Sequence, residues 1–300
     1  MSASASDIAV KPLTPRLGAE ISGVNLSDLD AGALSVIQEA FDLHGGLLFR
    51  SQKLLPADLV AFSRHFGELD HAPVNENGRK AVEDFPEIYV VSNIKGPDGK
   101  PVGSLGAGEA VWHTDMSYIP NPPYASMLYA VEIPAEGGDT WLCSMAEAYD
   151  ALPPALKTRV EGLQIKHDGT YNSAGFLREG LQATDNPMES VGQIHPLVTL
   201  HPRTGRQSLY LGRRRNAYIL GLSLVESEAL LDEIWQYAAL PENCYSHRWR
   251  VGDVLMWDNR ATMHRRDPFD QDARRLMQRT QIKGQGMPRG LDGTRTTAAA

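Results

Sequence analysis

The sequence predicts a mainly β protein with flanking helices, of the sandwich or jelly-roll kind, and three observations predict it. Short β-type runs recur along most of the chain, most of them bounded by Gly, Pro, Asp or Asn. Connections of hairpin length join some of them, which makes the pairing mainly antiparallel: Pro202-Arg203-Thr204-Gly205-Arg206 is one, and Gly252-Asp253 is a second tight turn. No glycine-rich nucleotide loop follows the first strand, and no regular alternation of strand and helix builds a parallel sheet.

In chain order, Leu34, Ile37 and Phe41 recur at helical spacing, as do Leu59, Phe62 and Phe66, and both segments read as packing helices. Strand runs follow at 46–50, 88–93, 125–133, 140–144, 195–201, 208–212, 244–251, 254–257 and 279–283. Ser223-Leu224-Val225-Glu226 is a capping box, opening a third helix with Leu231, Ile234, Trp235 and Ala238 on one face. Two stretches fit neither period: 95–110, rich in Gly and Pro, and the polar 170–193. Loops of this length serve as lids or binding loops, or are disordered.

Composition narrows the function. Only Cys143 and Cys244 are present, so nothing asks for an oxidising compartment, and Cys143 reads as a small buried hydrophobe. The N-terminus lacks the apolar stretch of a secretory signal, and no run of about 18 apolar residues occurs, so the expectation is a cytoplasmic protein without a membrane partner. A net charge of −8, from 29 Lys+Arg against 37 Asp+Glu, disfavours nucleic acid. Basic residues gather at Arg213-Arg214-Arg215, read as solvated surface charge, and again across Arg265, Arg266, Arg274, Arg275 and Arg279.

His113-Thr114-Asp115 sets an imidazole and a carboxylate two positions apart, which in an extended segment points both to one side. His264, after the strand that ends in Trp257-Asp258-Asn259-Arg260, is the candidate third ligand. Two imidazoles and a carboxylate on one face of an octahedron leave three positions open, as in non-haem iron(II) oxygenases. A His-x-Asp pair alone is more often a surface hydrogen bond, so the reading depends on the surrounding text.

That text is Trp112-His113-Thr114-Asp115-Met116-Ser117-Tyr118, then Gly137-Gly138-Asp139-Thr140, then Trp257-Asp258-Asn259-Arg260 with His264 four residues on, and finally Arg275 and Arg279. In order and spacing these resemble the taurine dioxygenase and 2,4-dichlorophenoxyacetate dioxygenase family. The resemblance runs from about Val10 to Gly284. It implies a single dioxygenase domain over 1–300, with a double-stranded β-helix (jelly-roll, cupin-like) core and a flexible tail at 285–300. It further implies Fe(II) held by His113, Asp115 and His264. The 2-oxoglutarate cosubstrate would chelate the iron, its far carboxylate meeting Arg275 and Thr140, and a one-residue strand slip would choose Arg274 instead. Arg279, which shares a strand face with Arg275, would grip the anionic group of the substrate, with His71 and Asn93 lining the same pocket. Trp257 and Asp258 read as packing or as hydrogen bonding that shapes the barrel.

The implied reaction consumes O2 and 2-oxoglutarate, yields succinate and carbon dioxide, and hydroxylates a small anion: an alkyl sulfonate, an aryloxyalkanoate or a similar carboxylate. Where the hydroxylated carbon bears sulfonate or an ether oxygen, C–S or C–O cleavage follows. Two other classes could use the same triad: a zinc-dependent hydrolase and a non-catalytic jelly-roll binding protein. Assembly as a homo-oligomer is left open by the sequence.

Overall fold

The computed structural model describes residues 8–72 and 82–291. The chain opens with the hairpin β1 (Ala9–Pro12) and β2 (Ala19–Ser22), followed by α1 (Ala31–His44). Asp30 caps α1 by accepting from the Ala33 N–H at 2.7 Å, and Gly45, at φ 65°, ends it in the left-handed region that glycine tolerates. Next come β3 (Gly46–Phe49), α2 (Pro56–Arg64), β4 (Tyr89–Ser92), the short β5 (Ser104–Leu105), β6 (Ala110–His113), β7 (Ala125–Glu132) and β8 (Thr140–Ser144). Two short helices, α3 (Met145–Asp150) and α4 (Pro154–Val160), lead to β9 (Gln164–Asp168), β10 (Gly192–Pro196), β11 (Val198–Leu200), β12 (Gln207–Leu209) and β13 (Tyr218–Ile219). The last elements are α5 (Leu224–Ala238), β14 (Cys244–His247), β15 (Val254–Asp258), β16 (Thr262–Arg266) and β17 (Leu276–Ile282).

Two sheets face one another. The large one runs β1-β2-β3-β15-β7-β17-β4-β5 and the small one β14-β8-β16-β6. Pairing is antiparallel except for β2 with β3 and β4 with β5. The strand period of two sorts side chains to either face. Met127, Tyr129, Val254 and Met256 point out of the large sheet and pack under α1 and α2 with Ile37, Phe41, Leu59 and Phe62. Leu128, Leu255, Trp257 and Met277 point inward and meet Leu142 and Trp249 of the opposing layer. Cys143 and Met263, on the outer face of the small sheet, pack with Leu231 and Ile234 of α5. The result is a jelly-roll sandwich with helices outside, as the sequence predicts, and the candidate site residues on its strands lie on the inner faces.

Several boundaries differ from expectation for local reasons. The 195–201 run breaks at Leu197, whose N–H turns to Leu163 O, so that β10 pairs with β9 and β11 with β12. The 244–251 run stops at His247, because the Asp253 carboxylate accepts from the Arg250 N–H at 2.8 Å and closes a turn there. Gly252-Asp253 therefore joins the small sheet to the large one and makes no hairpin. The capping box of Ser223 and Glu226 opens α5 as expected. Helices α3 and α4 are too short to show a period. Of the expected tail, 285–291 runs beside β11, where Leu200 N–H donates to Arg289 O, and 292–300 lies outside the described residues. Among the described residues no helix is long and apolar enough to cross a membrane.

Candidate active site

The two imidazoles come from neighbouring strands. His113 ends β6, His264 sits in the middle of β16 and not at a strand end, and the two are direct register partners with ring centroids 4.1 Å apart. Asp115 follows in a turn shaped by Met116, which adopts φ 47°. Its Oδ1 lies 3.7 Å from His113 Nε2 and 3.8 Å from His264 Nε2. His113, Asp115 and His264 are the only group of three or more His, Cys, Asp or Glu side chains among the described residues that could hold one metal ion. All three are buried.

The donors suit a metal. His113 Nδ1 donates to Val111 O at 2.7 Å, so in the neutral ring Nε2 carries the lone pair and is turned to the site. Metal–nitrogen bonds of roughly 2.1 Å put neighbouring octahedral ligands about 3 Å apart, a little closer than the separations seen here. Burial, and then His113, push His264 down to about 3, so it is neutral, as a ligand must be. Burial alone would raise the Asp115 carboxyl, but the Arg279 guanidinium together with His264 and His113 holds it well below the usual carboxylate range.

Arg274 and Arg275 part company at the start of β17. Arg274 is exposed and pairs with Glu132 at 2.6 Å. Arg275 is 2% exposed, makes no ion pair among the described residues, and leaves Nε without a hydrogen-bond partner. Burial lowers it to about 9, with the neighbouring Arg266 adding to the shift. Gly138, at φ 71°, makes room for this guanidinium, since a Cβ there would come within 3.3 Å of Arg275 Nε. Thr140 is buried, opposes Arg266 across β8 and β16, and accepts from Trp249 Nε1 at 3.0 Å. A buried cation without a carboxylate is costly, and an incoming carboxylate would relieve that cost.

Arg279 reaches the triad, as its strand face predicts. Its Nη1 lies 3.3 Å from Asp115 Oδ1, its Nη2 donates to Gln281 Oε1 at 3.3 Å, and its guanidinium carbon sits 4.9 Å from the Tyr89 ring centroid. Asn93 binds backbone: its amide nitrogen donates to Gln271 O and Ala273 O, and its oxygen accepts from the Arg275 N–H at 3.0 Å. With both amide protons used, Asn93 clamps the loop that presents Arg275. His71 is exposed at the rim, where Asp70 N–H donates to Gln281 O, and 73–81 beyond it lies outside the described residues.

The 170–193 stretch folds back against the chain on either side of His113 and Asp115. Ser173 O accepts from the Val111 N–H at 3.0 Å, beside the strand residues that carry His113. Arg178 stacks 4.3 Å over Tyr118, three residues after Asp115. Of the Arg213-Arg214-Arg215 run, the last two make surface ion pairs with Glu228, Asp232 and Asp185. Arg213 instead turns inward and donates to Asp168 O at 2.6 Å.

Sequence reasoning missed Ser126, Gln281 and the role of Asn259, all buried beside Asp115. Gln281 carried one signal, since it stands two residues after Arg279 and so shares its face. Trp257 is fully buried, and Asp258 is tied to His201 at 3.0 Å and Arg260 at 2.6 Å, in keeping with their shaping role.

His195 and His167 form a second buried pair, with rings 5.3 Å apart and no part in the triad. Burial depresses His195 to about 4, against the opposing effect of its bonds to Ile119 O and Ser117 O, and holds His167 well below its ordinary value. The folded pKa lies below the unfolded one, so this contribution is complete above about pH 6.5 and is lost as pH falls toward 4. His195 alone should account for about 2 kcal/mol of the stability lost between pH 7 and 5. Urea unfolding at both pH values should show a smaller pH-dependent loss in His195→Gln than in wild type, and equal losses would refute the assignment.

The family model for taurine catabolism dioxygenase TauD, TfdA family matches residues 9–281. The chain is 35% identical over 294 residues to the (S)-phenoxypropionate/alpha-ketoglutarate-dioxygenase of Sphingobium herbicidovorans, covering 93% of this chain and 96% of that one. It is 36% identical over 282 residues to the alpha-ketoglutarate-dependent 2,4-dichlorophenoxyacetate dioxygenase of Cupriavidus pinatubonensis, covering 91% and 96%. The crystal structure of a taurine dioxygenase from Burkholderia xenovorans superposes with a TM-score of 0.79 at 35% identity, covering 98% of this chain and 97% of that one. A match of this extent, on a jelly roll whose inner face gathers two histidines and an aspartate, means that the chain belongs to the TauD, TfdA family and is a 2-oxoglutarate-dependent dioxygenase.

Proposed function

We propose that the protein, working as a single catalytic domain in the cytoplasm, uses Fe(II), O2 and 2-oxoglutarate to hydroxylate a small organic anion. His113, Asp115 and His264 hold the iron, Arg275 and Thr140 take the far carboxylate of 2-oxoglutarate, and Arg279 takes the anionic group of the substrate. The observation that carries this reading is the pair of arginines on one inner strand face. Arg275 is buried without a carboxylate, and Arg279 stands 3.3 Å from the candidate metal ligand Asp115. The chemistry brings two anionic molecules together at one site, and the far carboxylate of one and the acidic group of the other each find their own guanidinium.

Iron with 2-oxoglutarate supplies the oxygen activation, and the chain supplies binding, orientation and exclusion of water. Tyr89 packs under Arg279, and Arg178 of the 170–193 stretch stacks over Tyr118, three residues beyond Asp115. The similar proteins act on phenoxypropionate, 2,4-dichlorophenoxyacetate and, by its name, taurine, and every one of these compounds is a carboxylate or sulfonate. Alkyl sulfonates, short carboxylates, aryloxyacetates and aryloxypropionates are therefore the set to screen, scored by iron-dependent succinate formation. Hydroxylation beside an ether oxygen or a sulfonate would be seen as cleavage.

Arg279→Lys should weaken substrate affinity and spare 2-oxoglutarate, because lysine replaces a planar fork of donors with one compact charge. Removing the acidic group from the substrate should cost the wild type far more than it costs Arg279→Ala. Equal losses in the two proteins would make Arg279 a structural partner of Asp115 and would remove the reason to expect an anion.

A further inference from the structure

Ser126 lies in the middle of the large sheet, with Trp257 beside it on β15 and Gln281 beside it on β17. It is fully buried. Its Oγ makes three hydrogen bonds: Asn259 Nδ2 at 3.0 Å, Gln281 Nε2 at 3.2 Å and Asp115 Oδ2 at 2.6 Å. A hydroxyl offers one proton and two lone pairs, so all of its capacity is used here.

The direction of each bond follows from groups that can only donate. The Trp257 indole donates to Asn259 Oδ1 at 3.0 Å, so the amide must turn its nitrogen toward Ser126. The Arg279 guanidinium donates to Gln281 Oε1 at 3.3 Å, so that amide too must turn its nitrogen toward Ser126. With both lone pairs of Oγ taken by amide donors, the serine proton has one acceptor left, Asp115 Oδ2. Oδ1 is then the oxygen that faces both imidazoles, at 3.7 and 3.8 Å.

We infer that Ser126 is a positioning residue for the metal ligand Asp115, held in one orientation by a relay from Trp257 through Asn259 and from Arg279 through Gln281. It fixes the carboxylate as a one-oxygen ligand, which keeps Oδ2 out of the positions that a bidentate cosubstrate needs. The relay also ties the arginine proposed to hold the substrate anion to the carboxylate proposed to hold the metal. The inference rests on His113, Asp115 and His264 being the metal ligands.

Mn(II) alone is the probe, titrated into the metal-free full-length protein and followed by the electron paramagnetic resonance of the free ion. His264→Ala tests the ligand reading by itself: retained binding would overturn that reading. If His264→Ala loses the ion, Ser126→Ala should weaken Mn(II) affinity about 10- to 100-fold, the range for loss of a residue that orients a ligand. A thermal melt of the metal-free variant separates positioning from packing, since a purely structural serine would lower the melting temperature and leave Mn(II) affinity unchanged. Gln281→Met, which keeps the Asn259 arm, should weaken Mn(II) by only about 3-fold in wild type and not at all in Ser126→Ala. Full additivity of the two substitutions would overturn the relay. Should Ser126→Ala not fold, Gln281→Met with unaltered affinity would overturn it equally.

Discussion

His264→Ala is expected to eliminate substrate-dependent succinate formation and the bound metal while the protein stays folded. The same holds for His113→Ala and Asp115→Ala. His264 is buried and neutral and shares its strand register with His113, so its loss removes one of the three donors that, among the described residues, face a common point. The fall should exceed the roughly 10- to 100-fold cost of losing a residue that merely supports a ligand. Metal analysis of the purified variants decides the matter: an iron content equal to wild type in all three would overturn the assignment. Folding should survive His264→Ala, because it removes a desolvated ring that makes no Nδ1 hydrogen bond.

The second large effect belongs to Arg275. Arg275→Ala should raise the 2-oxoglutarate concentration needed for half-maximal rate with little change in that for substrate. A charge-assisted contact to a carboxylate contributes roughly 1.5–3 kcal/mol, or about 10- to 150-fold in affinity. Arg274→Ala loses only a solvent-screened pair with Glu132 and should leave the cosubstrate requirement unchanged. The strand period makes these adjacent residues opposite in behaviour, so the reverse result would mean that β17 is slipped by one residue. Arg275→Ala also relieves the mutual repulsion of Arg275 and Arg266, so a fall in thermal stability is not the expected explanation of lost activity.

Much of this was readable from the chain. Ile37 and Phe41, and Leu59 and Phe62, lie under the large sheet because helical spacing gathers apolar side chains on one face whatever they pack against. His113 and Asp115 were legible because two residues in near-extended chain share a side. Arg279 was legible because it repeats the face of Arg275. The clamp made by Asn93 was not legible, since position beside a pocket does not say which neighbouring backbone groups an amide will bind. Ser126 gave no signal, because a serine inside a strand of Ala125, Met127 and Leu128 is ordinary until its two flanking strands are known. The break at Leu197 and the sheet change at Gly252 were hidden for the same reason: each depends on a distant hydrogen-bond partner.

The bond from Val111 to Ser173 has a consequence for how the molecule avoids its own kind. β6 is the outermost strand of the small sheet, and an outermost strand offers unpaired amides and carbonyls to any other strand that meets it. Here Ser173, in the irregular chain before β10, accepts from the Val111 N–H at that border, on the very strand that ends in His113. The long polar stretch thus guards against edge-to-edge aggregation at the strand that supplies a ligand. Trimming it would remove the contact that covers the Val111 N–H at this border.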